Sequence, residues 1–187
     1  MCGSLKVNLV AQAKRMKAMQ NELFTNLVSK RGAVLSSCDN YRYVLQRSWG
    51  DGGKSVLFIG LNPSTADHER DDATTRVCRN YAVRWGFDSM AIANLFSFRS
   101  TDPKGLLKSS DPVGPENDRW LKKAIKGADV VVCCWTSLGR HMNRETEVLK
   151  LIKSPYCLTM LRDGSPGHPL YKSRELRPTP LLLPHRS

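Results

Sequence analysis

The amino-acid sequence predicts an α/β fold: a three-layer sandwich with a mostly parallel central sheet of four strands, plus an N-terminal helix and an edge strand. Three observations predict it. Short apolar runs recur at residues 55–60 (SVLFIG), 89–95 (SMAIANL) and 129–135 (DVVVCCW), with a weaker fourth at 156–161 (YCLTML). Such runs suit parallel strands covered on both faces. Stretches with apolar residues at helical spacing lie between them. The 187 residues, 41% of them hydrophobic, fit one domain with a sizeable core.

The elements follow in order. Residues 4–31 read as a helix, with Val10, Met16, Leu23, Leu27 and Val28 mostly on one side and Gly32 as its stop. This gives an N-terminal extension over 1–32, the α/β domain over 33–175 and an extended tail over 176–187. Residues 41–48 (YRYVLQRS) alternate and predict a strand at the sheet edge, closed by a turn from Gly50 to Gly53. A helix over 72–85 carries Val77, Tyr81, Ala82 and Trp85. A second, over 115–126, opens on Pro115 with Glu116 and Asp118 in its first turn. A third, over 142–153, carries Met142, Val148, Leu149 and Ile152. Strand and helix alternating in this way predict helices on both faces of the sheet.

Composition narrows the partners. The formal charge of +12 favours polyanions, because bound phosphates release counterions. No run of ~18 apolar residues is present, so no membrane span is expected. The N-terminus lacks the ordered features of a secretory signal, and the protein is expected in the cytoplasm. Six cysteines (Cys2, Cys38, Cys78, Cys133, Cys134, Cys157) include no Cys-x-x-Cys pair. They are expected to be reduced and mostly buried, with a cysteine-bound metal or iron–sulfur cluster the minor alternative. Cys133 and Cys134 should face opposite sides of their strand.

In a sheet of this kind ligands bind beyond the carboxyl ends of the strands. That selects the loops after Gly60, Asn94, Trp135 and Leu161, which are also polar and rich in Gly and Pro. In the first, Gly60 permits close approach and Pro63 stiffens the turn. The Asn62 amide can hold a water or a base edge. Ser64, Thr65 and Asp67 either take part in a site or cap the next helix, and the same choice holds for Asp71 and Asp72. In the second, Asn94 either satisfies neighbouring backbone or reads a base, while Phe96 or Phe98 offers a stacking face or belongs to the core. Arg99 and Lys104 are candidates for phosphate contact. In the last, His168 is a candidate anion stabiliser or proton donor, and Leu170 or Tyr171 a wedge into a base stack.

Read in order, these segments resemble the uracil-DNA glycosylase superfamily. Closer still, the chain is identified as a member of an uncharacterised family, domain-of-unknown-function family 1643. Its marks are LNPSTAD, NLF, DPxGPxND and HPLY, matched by Leu61 to Asp67, Asn94 to Phe96, Asp111 to Asp118, and His168 to Tyr171. The resemblance covers residues 41–171. The glycosylase motifs matched are Gly60-Leu61-Asn62-Pro63, the strand-ending Asn94, Val131 to Ser137 and His168-Pro169-Leu170. The last lacks the usual Ser, and Asp67, Asp71 and Asp72 have no counterpart.

The resemblance implies a uracil-DNA-glycosylase-like fold and a monofunctional DNA glycosylase that leaves an abasic site and needs no cofactor. Its partner would be double-stranded DNA with one base flipped out, bound by a monomer. Asn62, Asp67 and His168 would be catalytic. Gly60, Leu61, Pro63, Asn94 and Phe96 would bind the base, with Leu170, Tyr171, Arg99 and Ser64 touching DNA. The expected substrate is a modified pyrimidine, hydroxymethylated or glucosylated, in defence against viruses. The rival expectations are a non-catalytic nucleic-acid binder, a nucleoside or nucleotide hydrolase, and metal-dependent phosphodiester chemistry through Asp67, Asp71 and Asp72.

Overall fold

The computed structural model describes residues 30–182, apart from Thr65 and His68. The fold is α/β. Seven strands form one sheet: β1 (Lys30–Leu35), β2 (Arg42–Ser48), β3 (Ser55–Gly60), β4 (Ser89–Asn94), β5 (Val130–Cys133), β6 (Pro155–Cys157) and β7 (Thr179–Pro180). Four helices accompany them: α1 (Ala73–Arg84), α2 (Pro103–Lys108), α3 (Asn117–Lys126) and α4 (Arg144–Leu149). A 3-10 segment, Ser137–Asn143, leads into α4.

The strand order is β1-β2-β4-β3-β5-β6-β7. The inner strands β4, β3, β5 and β6 are mutually parallel, as the apolar runs predict. The four-stranded expectation is too small, because β1 and β2 extend one side and β7 the other, all antiparallel. Nor is β2 an edge strand: it pairs with both β1 and β4. Its Arg42 and Arg47 are both buried. The predicted helix over 4–31 lies outside the described residues up to 29. Its last two residues, Lys30 and Arg31, form β1 instead, paired with Ser48 and Arg47. Pairing along β2 prevails over the helical pattern upstream.

Alternation along the inner strands makes two cores. Leu57, Ile59, Val131, Cys133 and Trp135 meet Leu121 of α3 and Val148 of α4 on one face. Val56, Phe58, Val132 and Cys134 meet Cys78, Tyr81 and Ala82 of α1 on the other. Cys133 and Cys134 thus face opposite ways. The described cysteines are free thiols, buried except for Cys38. Burial pushes the Cys134 thiol up to about 12. No group of three metal-ligating side chains gathers among the described residues.

Helix starts are set by local chemistry. The Asp72 carboxylate accepts from Thr75 N at 2.7 Å and caps α1. The helix expected from residue 142 begins at Arg144, because Met142 and Asn143 sit at φ 55° and 56°, outside helical geometry. Among the described residues no helix is long and apolar enough to cross a membrane.

Candidate active site

The connections fix where a ligand can sit. From β3 the chain turns away to β4, and from β5 it turns the opposite way to β6. The carboxyl ends of β3 and β5 therefore flank a topological switch point. The loops predicted to carry chemistry leave from this edge.

Gly60 closes β3 directly beside Asn94, which closes β4. A Cβ on Gly60 would lie 2.8 Å from Asn94 Oδ1, so the glycine is what lets the amide lie across the strand end. Asn94 is 3% exposed, and its Nδ2 has no hydrogen-bond partner. The backbone around it is held from beneath. Asn117 Nδ2 donates to the carbonyls of Asn94 (3.2 Å) and Leu95 (2.9 Å), and Arg144 Nε also donates to Leu95 O (2.9 Å). Leu61 is half-buried, and its carbonyl accepts from Phe96 N. Phe96 is wholly buried in the core, its ring 5.6 Å from that of His141.

The first and second loops are sewn together. Asn62 Nδ2 donates to Ser100 O at 2.8 Å and Pro63 O at 3.2 Å, while Ser100 N donates to the buried Pro63. Asn62 Oδ1 has no protein donor among the described residues. Ser64, Phe98 and Arg99 lie to one side, around a shallow depression shared with Asp39 and Asn40. The Lys104 side chain and Thr65 lie outside what is described.

The acidic residues hold the loop in place. Asp67 Oδ1 accepts from the backbone of Glu69 and Arg70, both at 2.8 Å, closing a tight turn. Asp71 binds Arg47 through Nε and Nη2 at 2.8 Å and Arg79 at 2.9 Å, with Arg31 at 3.6 Å. Arg47 also donates to Asp67 O (2.7 Å), and Arg42 Nη1 to Ala66 O (2.6 Å). Residues five apart on a regular strand face opposite ways. Here the register shifts between Val34 and Leu35, so that Val34 faces Val44 while Leu35 faces Arg42. The extra residue in β2 turns both arginines to the same loop. Burial pushes the Arg42 guanidinium down to about 10, against the pull of Asp72. Its Nε has no partner.

His168 comes from the loop after β6. That loop crosses back over β5: Thr136 N donates to Pro166 O at 2.9 Å, and Gly167 N to Thr159 O at 2.7 Å. Thr136 itself adopts φ 64°, ψ −173°, a conformation that costs a non-glycine residue about 1–3 kcal/mol. His168 Nδ1 accepts from Leu170 N at 3.2 Å, which places the ring proton of the neutral form on Nε2. Burial holds the imidazole below the ordinary histidine value of 6.5, and nearby Asp72 opposes that shift. The ring resonances of His168 are therefore expected to titrate below pH 6.5 in an NMR experiment. A midpoint above 6.5 would contradict the geometry. The matching stability increment is complete above pH 6.5 and is lost as the pH falls through the folded-state value.

The structure thus joins Gly60, Leu61 and Asn94 directly, and Asn62 to the second loop. His168 lies within electrostatic reach of Asp72. Leu170 is half-buried beside His168, whereas Tyr171 is fully exposed at φ 60°, at the cavity beside α1. None of three cavities, beside α3, beside α1 and around Ser64, is lined by Asn94 or His168. Sequence reading missed Arg42, Arg47, Asn117, Arg144 and Thr136. The strand itself is readable in Tyr43, Val44 and Leu45, but the burial of both flanking arginines is not. The φ of Thr136 leaves no signal.

An unpaired amide donor, a fixed imidazole donor and an amide acceptor lie in loops leaving one edge of a parallel sheet. The protein is of the α/β class, with these polar groups at the carboxyl side of its parallel strands. Residues 42–170, more than half of the chain, match the family described as "Protein of unknown function (DUF1643)", and the protein belongs to that family. No curated protein and no solved structure matches the chain.

Proposed function

We propose that the protein is a monofunctional DNA glycosylase with a uracil-DNA-glycosylase-like inner domain, hydrolysing the bond between a flipped-out pyrimidine and its sugar. The observation that carries this reading is the buried, unpartnered Nδ2 of Asn94. An orphan donor there costs roughly 1–3 kcal/mol unless a ligand acceptor meets it, and a pyrimidine carbonyl is such an acceptor. The base must first leave the duplex, at about a few kcal/mol, with Leu170 filling the gap. Asn62 Oδ1 accepts a hydrogen bond from the attacking water. The C1′–N bond breaks, its electron pair departs with the base, and the water oxygen bonds to C1′. The proton the water gives up ends on the departed base, leaving a C1′ hydroxyl and a neutral base. The Nε2–H of neutral His168 stabilises the charge growing on the base oxygen. Asp67 shapes the loop through its turn. Asp71, surrounded by arginines, and Asp72, capping α1, are poorly placed for binding a metal.

A water held by an amide is less activated than one held by a carboxylate. This favours bases that leave easily or carry modifications, among them hydroxymethylated or glucosylated pyrimidines. The test uses duplex oligonucleotides bearing uracil, mismatched thymine or such modified pyrimidines, followed by alkali. Strand cleavage at one of these positions is expected. The close Asn62–Ser100 contact and the lack of Asn94 from the cavity walls favour a second reading, a non-catalytic binder. Intact DNA binding with no cleavage of any substrate would select it.

A further inference from the structure

A second place on the molecule has ligand-binding character. The chain beyond His168 runs down the outer face of α1. Tyr81 Oη donates to Ser173 O at 2.7 Å, and Trp85 Nε1 donates to Leu176 O at 3.0 Å. These bonds fix one wall against the helix. Between wall and helix lies a cavity of about 330 Å³, lined by Asn80, Tyr81, Arg84, Tyr171, Lys172 and Arg174 among others. The volume falls within the range of small-ligand sites.

Three features of the lining point to the same ligand. Asn80 Oδ1 is buried without a hydrogen-bond partner, so it presents an acceptor to an N–H group. Lys172 and Arg174 are exposed and form no ion pair among the described residues, while Arg84 is engaged by Glu175 at 2.8 Å. The Tyr171 ring is fully exposed at the rim, on a backbone at φ 60°. A base edge supplies the N–H, a phosphate meets the free cations, and the ring offers a stacking face. The cavity also adjoins the proposed active site, because Pro169 of the His168 loop is part of its lining.

We propose that this cavity is a subsite for a second nucleotide unit, base and phosphate together. The inference rests on the reading of a nucleic-acid ligand and not on base excision. The unit is either a neighbour of the flipped nucleotide in the same strand or a free mononucleotide.

The experiment measures binding alone, by fluorescence anisotropy of a short labelled single-stranded oligonucleotide on the full chain. The K172S/R174S variant is expected to bind about tenfold more weakly. Its dependence of log affinity on log salt should fall by about 0.7, from one lost phosphate contact on a single strand. Asn80→Ala is expected to weaken binding several-fold while leaving the unfolding midpoint unchanged or raised, which a structural asparagine would not do. Competition by a deoxynucleoside monophosphate at concentrations near those of the oligonucleotide assigns the free nucleotide. Competition only at far higher concentrations assigns the strand. Unchanged affinity in both variants overturns the proposal, and so does equally tight binding of poly-glutamate, which would reduce the site to a charged surface. No excision of any tested base by the unaltered chain, with these binding effects intact, would sink the glycosylase reading and leave the subsite standing.

Discussion

Asp71→Ala is expected to lower the free energy of unfolding by about 3–5 kcal/mol, the usual cost of stripping the partner from a buried charge. Arg47 is wholly buried and Arg79 nearly so, at 0% and 3% side-chain exposure, and both bind this carboxylate at under 3 Å. Removing it leaves two guanidinium groups in a low-dielectric layer: Arg47 keeps backbone carbonyls as acceptors, whereas Arg79 loses its carboxylate partner and its Nε is already unpartnered. The network also spans β1, β2 and α1 through Arg31, Arg47 and Arg79, so the loss should be cooperative. Urea unfolding followed by circular dichroism measures it. Asp72→Ala is the comparator, removing a helix cap worth about 1 kcal/mol. A loss for Asp71→Ala no larger than that would show the arginines to be better solvated than their burial implies.

Asn94→Ala carries the largest expected effect on activity. If the Nδ2 group meets the carbonyl of the extruded base, its removal should slow excision by about 10²–10³, as for one donor to a developing oxyanion. The same change deletes a buried donor that nothing satisfies in the free protein, so stability should hold or rise. A structural asparagine would show the reverse. Single-turnover cleavage together with a melting curve separates the two cases. A destabilised variant with undiminished turnover would remove Asn94 from the site.

Some elements are legible in the sequence and others are not, for physical reasons. The runs SVLFIG, SMAIAN and VVVC are legible because inner parallel strands are apolar on both faces, and their shortness and flanking polar or glycine residues separate them from buried helix. Gly60 is expected to admit a ligand, whereas the group that needs its space is the Asn94 side chain across the register, which no local pattern shows. Likewise, KRGAVL has no strand signature of its own and becomes β1 only by pairing with β2. The burial of Arg42 and Arg47 depends on a one-residue bulge, which no periodicity announces. Asp67, Asp71 and Asp72 illustrate the converse. Three acids close together suggest a reactive cluster, but each has a structural duty: a turn, an arginine cluster and a helix cap.

The order of strands also governs how the chain must assemble. β1 and β2 are near neighbours in sequence and can zip early. β3, at the centre, pairs Val56 with Met90 on one side and with Val130 on the other. Both closures span long stretches of chain, and the entropy lost in bringing them together precedes any reward. Until β5 arrives, Leu57, Phe58 and Ile59 have an unpaired edge exposed to other chains. Late docking of the 130s segment would therefore be expected to leave the chain open to self-association, which its basic net charge opposes.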